Sequence, residues 1–271
     1  MRPVVLYRNS NSPAEDMAER AAIVKAGFPL ITNRGQIKAG DLVIPRYSAW
    51  PFFKELVEDC LEIGAQTINT LANHNYIADL KNWVIDLKEL TPDTWDRLEH
   101  LPEEGPFILK GATNSKKGYW RTHMFAKNKS EANLVHSRLC ADGLIGDQTI
   151  YVRKFIKLHT YTEDLAGCPI SKEFRFFIYN QRVLSSGFYW SNFVEEINPP
   201  PSPEEVPSEF IQTVLKRIGD KAKFYAVDVA QSETGEWLVI EINDGMMSGL
   251  SCNNPEVLYG NLYKELSCLI N

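Results

Sequence analysis

The chain lacks any long apolar run. None of its 271 residues falls in a stretch near the roughly 18 apolar residues of a membrane-spanning helix. The N-terminal MRPVVLYRNSNS is too short in its apolar part for a signal peptide. Cysteine is sparse and scattered: Cys60, Cys140, Cys168, Cys252 and Cys268 form no CxxC and no metal spacing with histidine. An odd count without close pairs excludes a disulfide framework and a zinc site, and reads as reduced thiols in a cytoplasmic protein. Internal repeats are absent, and so is the GxxxxGK[ST] order of a Walker A loop. What remains is an ordinary globular composition, 44% hydrophobic and 24% charged, in a chain long enough for one large domain or two moderate ones.

The balance of charge shifts along the chain. Residues 1–106 carry a net −5, residues 107–182 a net +7 and residues 183–271 a net −8. A basic middle between acidic flanks points to a local anion site with metal ligands on the acidic side, whereas a nucleic-acid binder would be basic throughout. Solvated charged faces would give the same numbers, so specific spacings must decide.

The opening reads as alternating strands and helices. PVVLY (3–7) is a strand, and Ser12 caps a helix that has Pro13 at its first position and stops at Gly27. PLIT and residues 42–46 are further strands. A helix from Phe53 stops at Gly64, QTIN is a short strand, and LANHNYIADLKNW (71–83) is a helix. This alternation predicts a small Rossmann-like α/β unit with a parallel sheet over residues 1–83. The style then becomes α+β. FILK (107–110) is a strand, residues 130–143 are a helix with Ser130 as cap and Glu131 in its first turn, and 149–158 are a strand. Residues 173–190 form a hairpin turning at Asn180-Gln181. A proline-rich excursion (198–207) and the helix PSEFIQTVLKRIG follow. The strands FYAVDVAQ (224–231) and WLVIEIN (237–243) then flank SETGE as a second hairpin.

Chemistry concentrates in a few stretches. In VIEINDG, Glu241 and Asn243 stand two residues apart and share one strand face, with Ile240 and Ile242 on the other. If Ala230 faces Trp237 across the hairpin, Asp228 lies diagonal to Glu241 on the face of Asn243, and three oxygen donors converge, suited to Mg²⁺. A one-residue slip would separate them. Lys110 ends its strand before a small, glycine-bounded loop, GATNSKKG, whose Asn114, Ser115, Lys116 and Lys117 could cradle phosphate, although a solvated turn would look the same. Arg153 and Lys154 sit inside an apolar strand on opposite faces, so at most one lines a given site. Glu173 and Arg175 share a strand face, either as an ion pair or as a carboxylate steering a phosphate-binding arginine. Arg46 follows an apolar strand at the end that lines the ligand crevice of open α/β sheets. His74 and His123 read as ordinary hydrogen-bonding residues, and Cys140 and Cys168 as inert core thiols.

In this order, Lys110, Lys154-Phe155-Ile156, Glu173-Phe174-Arg175, Asp228 and Glu241-Ile242-Asn243 resemble the landmarks of the ATP-grasp superfamily. VIPRYS, KGATNSKKGYW, YVRKFIKL and EFRFF resemble its R2K group (R2K clade family 3), known mainly from bacteria and phages. The resemblance covers roughly Leu42 to Asn254. It implies an α/β and α+β chain: an ATP-grasp fold whose two α+β subdomains clamp ATP, preceded by the small domain. The divisions would be a pre-ATP-grasp domain at 1–83 and an ATP-grasp domain at 84–271, with a nucleotide-binding subdomain at about 104–160 and a metal-binding core at about 161–271. It implies that Lys110 contacts the phosphates and that residues 114–117 fold over them. Arg153, Lys154, Phe155 and Ile156 would form the linker against adenine, where many members have a carboxylate and this chain has Arg153-Lys154. Arg175 would hold the γ-phosphate and Glu173 would steer it or line the base and ribose pocket. Asp228, Glu241 and Asn243 would hold one or two Mg²⁺, and Arg46 and Arg121 are offered to substrate.

The implied activity is ATP- and Mg-dependent ligation of a carboxylate to an amine or peptide acceptor through an acyl phosphate, releasing ADP and phosphate, with no membrane partner. Two alternatives stay open. One is phosphoryl or nucleotidyl transfer to another acceptor such as a nucleic-acid end, not favoured because no separate aromatic-and-basic stripe is seen. The other is a non-catalytic nucleotide-binding module.

Overall fold

The computed structural model describes residues 1–9, 13–164 and 166–268; the predicted cap Ser12 lies outside them. A first sheet is parallel and built from β1 (Arg2–Tyr7), β2 (Leu30–Ile31), β3 (Asp41–Arg46) and β4 (Gln66–Thr67), in the order β2-β1-β3-β4. Val4, Val5 and Leu6 are all fully buried, as expected of a central parallel strand covered on both faces. Helices α1 (Pro13–Ala26) and α2 (Phe53–Glu62) belong to this part. The single predicted helix over 71–83 is two, α3 (Leu71–Ala78) and α4 (Leu80–Asp86). Asp79 breaks it by leaving the helical region and capping the second piece through Lys81 N, which is the local bonding aspartate favours over continuing a helix.

A second sheet is antiparallel. It contains β5 (Thr94–Trp95), β6 (Glu104–Gly111), β7 (Phe125–Asn128) and β8 (Ile150–Lys154), in the order β5-β8-β6-β7. Helix α5 (Lys129–Cys140) packs on it, capped by Asn128 accepting from Glu131 N rather than by Ser130. The predicted strand 149–158 stops at Lys154, and β9 (Thr160–Glu163) pairs instead with β10 (Pro169–Ser171). Gly111 is needed for space: a Cβ there would stand 2.6 Å from Gln148 Oε1.

The third sheet, β12-β11-β13-β14, comprises β11 (Glu173–Tyr179), β12 (Arg182–Phe188), β13 (Phe224–Gln231) and β14 (Trp237–Asp244). Asn180 and Gln181 both have positive φ, 45° and 61°, the geometry of a two-residue turn matched to strand twist. Every residue of the central strand β11 is buried. Helix α6 (Ser208–Ile218) packs with Ile77, Leu80 and Trp83 into the core under this sheet. The final helix, α7 (Pro255–Ser267), is absent from the sequence reading. It returns to the first sheet, where Leu258, Tyr259 and Leu262 share one core with Val4, Leu6, Phe177 and Phe224. No helix among the described residues is long and apolar enough to cross a membrane.

Candidate active site between the two antiparallel sheets

The second and third sheets face each other across a cavity of about 740 Å³. From the second sheet come Ile108, Lys110, Phe125 and Arg153; from the third come Glu173, Ile240 and Glu241; Trp120, Phe155, Ile156 and Leu158 add apolar wall. A smaller cavity of about 350 Å³ adjoins it, with Asn114, Arg175, Asn243 and His74 among its lining residues. Ser115 and Glu241 line both.

The donor set is brought together by a register different from the expected one. Gln231, not Ala230, faces Trp237, which is a slip of one residue. A bulge between Asp228 and Val229 then adds one more, so Asp228 stands directly opposite Glu241 and Ala226 opposite Asn243. Two single-residue offsets restore the original face, because side chains alternate with period two. The bulge also carries Ile240 into the larger cavity beside Glu241, while Ile242 stays buried in the core.

Each charged group has a defined partner. Lys110 Nζ pairs with Glu241 Oε1. Burial alone would raise the Glu241 carboxyl, but Lys110 and then Lys117 hold it down to about 2. Arg175 grips Asp228 with both prongs, Nε–Oδ1 at 2.8 Å and Nη2–Oδ2 at 2.7 Å, and Nη1 donates to Gly249 O. Asp228 is fully buried and lines neither cavity, while Asn243 Nδ2 donates to its Oδ2 at 3.3 Å. Glu173 accepts from Ser171 at 3.2 Å, and its other oxygen is buried without a partner. Desolvation pushes its carboxyl up to about 7 against the opposing pull of Lys117.

Lys117 lies over Tyr189 and Trp190, 4.1 and 4.7 Å from their ring centroids, and donates to the Tyr189 hydroxyl. The glycine-bounded loop is pinned by Gln148, which accepts from Thr113 N and donates to Asn114 Oδ1. Lys116 turns away to Asp142 at 2.7 Å and lines neither cavity.

Arg153 and Lys154 border the same cavity, contrary to the expectation that at most one could, because the cavity wraps the end of β8. The Arg153 guanidinium ties the sheets together, donating to Ile240 O, Thr91 and Thr94; burial lowers it to about 10. Arg121 is exposed at the rim of the larger cavity, 3.6 Å from Glu163. Arg46 lines neither cavity: it is buried on Glu19 and donates to Gly245 O. Cys140 is exposed beside His136 rather than in the core, whereas Cys168 is buried at the cavity wall.

Sequence reasoning missed several lining residues. Trp120, Met124, Phe125 and Ile240 read as routine apolar positions, and Tyr189-Trp190 as the end of a hairpin. His74 is the clearest omission: it sits on α3 with Ile77 and Ala78, which line the same cavity, and far in sequence from Asp244, Glu241 and Arg175 on the opposite wall. Its contact with Asp244 at the end of β14 distinguishes it, and that contact is invisible without coordinates.

Family comparison decides the assignment. The model of "ATP-grasp domain, R2K clade family 3" matches residues 97–262, more than half of the chain. The chain belongs to this ATP-grasp family. No curated protein matches it in sequence. Among solved structures, the ATP-grasp protein shares its fold with the RimK domain protein ATP-grasp from Sphaerobacter thermophilus at a TM-score of 0.60 and 13% identity, covering 97% of this chain and 98% of that one. D-cycloserine synthetase DcsG gives a TM-score of 0.61 at 13% identity, covering 97% and 99%. The ATP-grasp ligase PsnB, complexed with minimal precursor, Mg and ADP, gives 0.58 at 10% identity, covering 98% and 97%.

The donor chemistry suits Mg²⁺. Among the described residues no group of three or more His, Cys, Asp or Glu forms a cage. Glu241 and Asn243 at the cavity wall are instead two oxygen donors of the kind Mg²⁺ takes when phosphate and water complete its shell, while both oxygens of Asp228 are held by Arg175.

Proposed function

We propose that this chain is an ATP- and Mg-dependent ligase that joins a carboxylate to an amine or peptide acceptor. The observation that carries the reading is the meeting of two cavities at Glu241. One is large enough for a nucleotide and ringed by cations; the other is smaller and polar. A γ-phosphate at that junction would face both a metal ligand and an acceptor.

ATP would take the larger cavity. Adenine would pack against Phe155 and Ile156 with Trp120 and Phe125, Glu173 would line the base and ribose region, and Lys110 and Lys117 would meet phosphate. Asn114 and Ser115, held on the Gln148-pinned loop, would close over it. Glu241 and Asn243 would hold Mg²⁺, which supplies charge neutralisation of the triphosphate. Asp228 joins them only if Arg175 turns from its carboxylate toward phosphate. That exchange matches two anions and two cations in a dry site, where an unpaired charge would be costly.

Lys110 and Arg175 would then stabilise charge on the phosphoryl group as it passes to the substrate carboxylate. The resulting acyl phosphate, shielded from water by the loop, would be attacked by the amine with release of phosphate. The reading supports no substrate contact for Arg46. Arg121, at the rim, is placed to meet a longer acceptor. Residues 104–160 and 161–271 would act as the two jaws, and 1–83 would carry part of the acceptor cavity.

Titration calorimetry with ATP, with and without Mg²⁺, tests this. Binding should require Mg²⁺ for full affinity, and Glu241→Gln should remove the Mg²⁺ dependence. Turnover with a panel of amino acids and peptides should release ADP. Release of AMP would favour nucleotidyl transfer, and Mg²⁺-independent binding without turnover would favour a binding module.

A further inference from the structure

One polar residue lining the smaller cavity, His74, has no part in the proposed ligase chemistry. His74 is 3% exposed and lines this cavity. Its Nδ1 lies 2.9 Å from Asp244 Oδ2, and its Nε2 is buried with no hydrogen-bond partner. Such orphaned buried groups are uncommon in folded proteins and call for a partner.

The geometry fixes the tautomer. Asp244 can only accept, so Nδ1 carries the proton, and a neutral ring then offers a bare lone pair at Nε2.

The mount is rigid. Asn69, fully buried, donates to Asp244 Oδ1 and exchanges two hydrogen bonds with the backbone of Phe224, tying the start of α3 to β13. Met246 N also donates to Asp244 Oδ1. The Phe53 ring packs against the imidazole, with ring centroids 4.3 Å apart and a tilt of 37°. Thus Asp244 is held by Asn69, Met246 N and His74, with no lysine or arginine among its partners in the described residues. With Nδ1 bonded to Asp244, the group left to meet a ligand is Nε2, which accepts an N–H when the ring is neutral.

We propose that His74 Nε2 receives the ammonium or amine N–H of the acceptor substrate and positions it beside Glu241 and Ser115, where the two cavities join. This rests on the reading of the smaller cavity as the acceptor site and goes beyond it by naming the recognised group. Trp50, 41% exposed and part of the cavity wall, has its ring centroid 6.1 Å from that of the imidazole.

The test uses the full chain labelled with ¹⁵N-histidine, saturated with Mg²⁺ and the ATP analogue AMPPNP. Glycinamide is the amine probe and acetamide the control without an amine. His74→Phe identifies the His74 resonances. Before the probe, Nδ1 should be protonated and Nε2 bare. Glycinamide should move the Nε2 signal and acetamide should not. His74→Phe should bind AMPPNP within about twofold of the wild type and glycinamide about tenfold more weakly, the value of one hydrogen bond to a charged donor. A protonated Nε2, an equal response to acetamide, no response to glycinamide, or undiminished glycinamide binding by the variant overturns the proposal. If His74→Phe does not fold, the wild-type spectra decide alone. If AMPPNP itself fails to bind the wild type, the ligase reading falls and takes this one with it, a result distinct from all the others.

Discussion

The protein contains two buried arginine–carboxylate pairs of similar chemistry and different consequence. Near the N-terminal sheet, Arg46 binds Glu19, which also accepts from Tyr7 and Tyr259, and the arginine's remaining reach is to Gly245 O. In the third sheet, Arg175 binds Asp228 and reaches Gly249 O. Both guanidiniums are held above their ordinary range because the carboxylate outweighs the desolvation that would lower them. The first pair is sealed among the α1, β3 and α7 packing. The second has its arginine on a cavity wall, one strand from Glu241 and Asn243. A buried ion pair is weak evidence of function by itself; what separates these two is whether a ligand can reach one partner and change its allegiance.

The largest contrast is expected from Glu241→Gln, which removes a charge between the cavities while keeping shape. Mg-dependent ATP turnover should fall by about 10²–10³-fold, the cost of one charge-stabilising group in a dry site. The matching change at the sealed site, Arg46→Ala, should lower stability by about 3–5 kcal/mol, read by urea denaturation, because Glu19 is left buried without its cation. Nucleotide affinity in whatever fraction stays folded should be unchanged. Loss of nucleotide binding in a folded Arg46 variant would erase the distinction.

Arg175→Ala sharpens the comparison, since it too strands a buried carboxylate. Here Mg·ATP should restore more melting temperature than it adds to the wild type, because the bound cation can take over Asp228. Equal shifts in the two proteins would keep Asp228 out of the metal site.

A smaller effect concerns Glu173. Its folded-state carboxyl, raised to about 7 chiefly by burial, lies above its unfolded value. Its contribution to stability is therefore complete in acid and is lost as pH rises through about 7. Glu173→Gln should flatten this part of the stability–pH curve and gain on the order of 1 kcal/mol at pH 8 relative to wild type. A parallel curve would refute the burial argument. At the small end, Lys116→Ala breaks a pair with Asp142 away from both cavities, and the urea midpoint should stay at its wild-type value.

Legibility of the site in the sequence varied by residue for physical reasons. Glu241 and Asn243 were visible because an apolar strand rarely carries two oxygen donors at period two. Lys110 was visible because it ends a strand before a small-residue loop. The hairpin register was not: turn sequence left it open, and the bulge between Asp228 and Val229 has no local signature. Asp79, which splits the helix over 71–83, was hidden in a pattern otherwise continuous. Arg46 looked available because strand ends often line crevices, but Glu19, on α1, closes over it. His74 looked commonplace because its partner, Asp244, is 170 residues away.

The sequence by itself determined the parts with local causes: alternating elements before residue 83, two hairpins, a basic segment between acidic ones, and the ordered polar positions that resemble an ATP-grasp protein. Only the tertiary structure decided which of these groups meet. Long-range pairing set the partners of Arg46 and Arg175, restored Asp228 to the face of Glu241, and brought His74 from α3 to β14. Residue type and spacing constrain a side chain's direction over a few positions, whereas its neighbours across 100 residues follow from how whole sheets and helices bury their apolar faces.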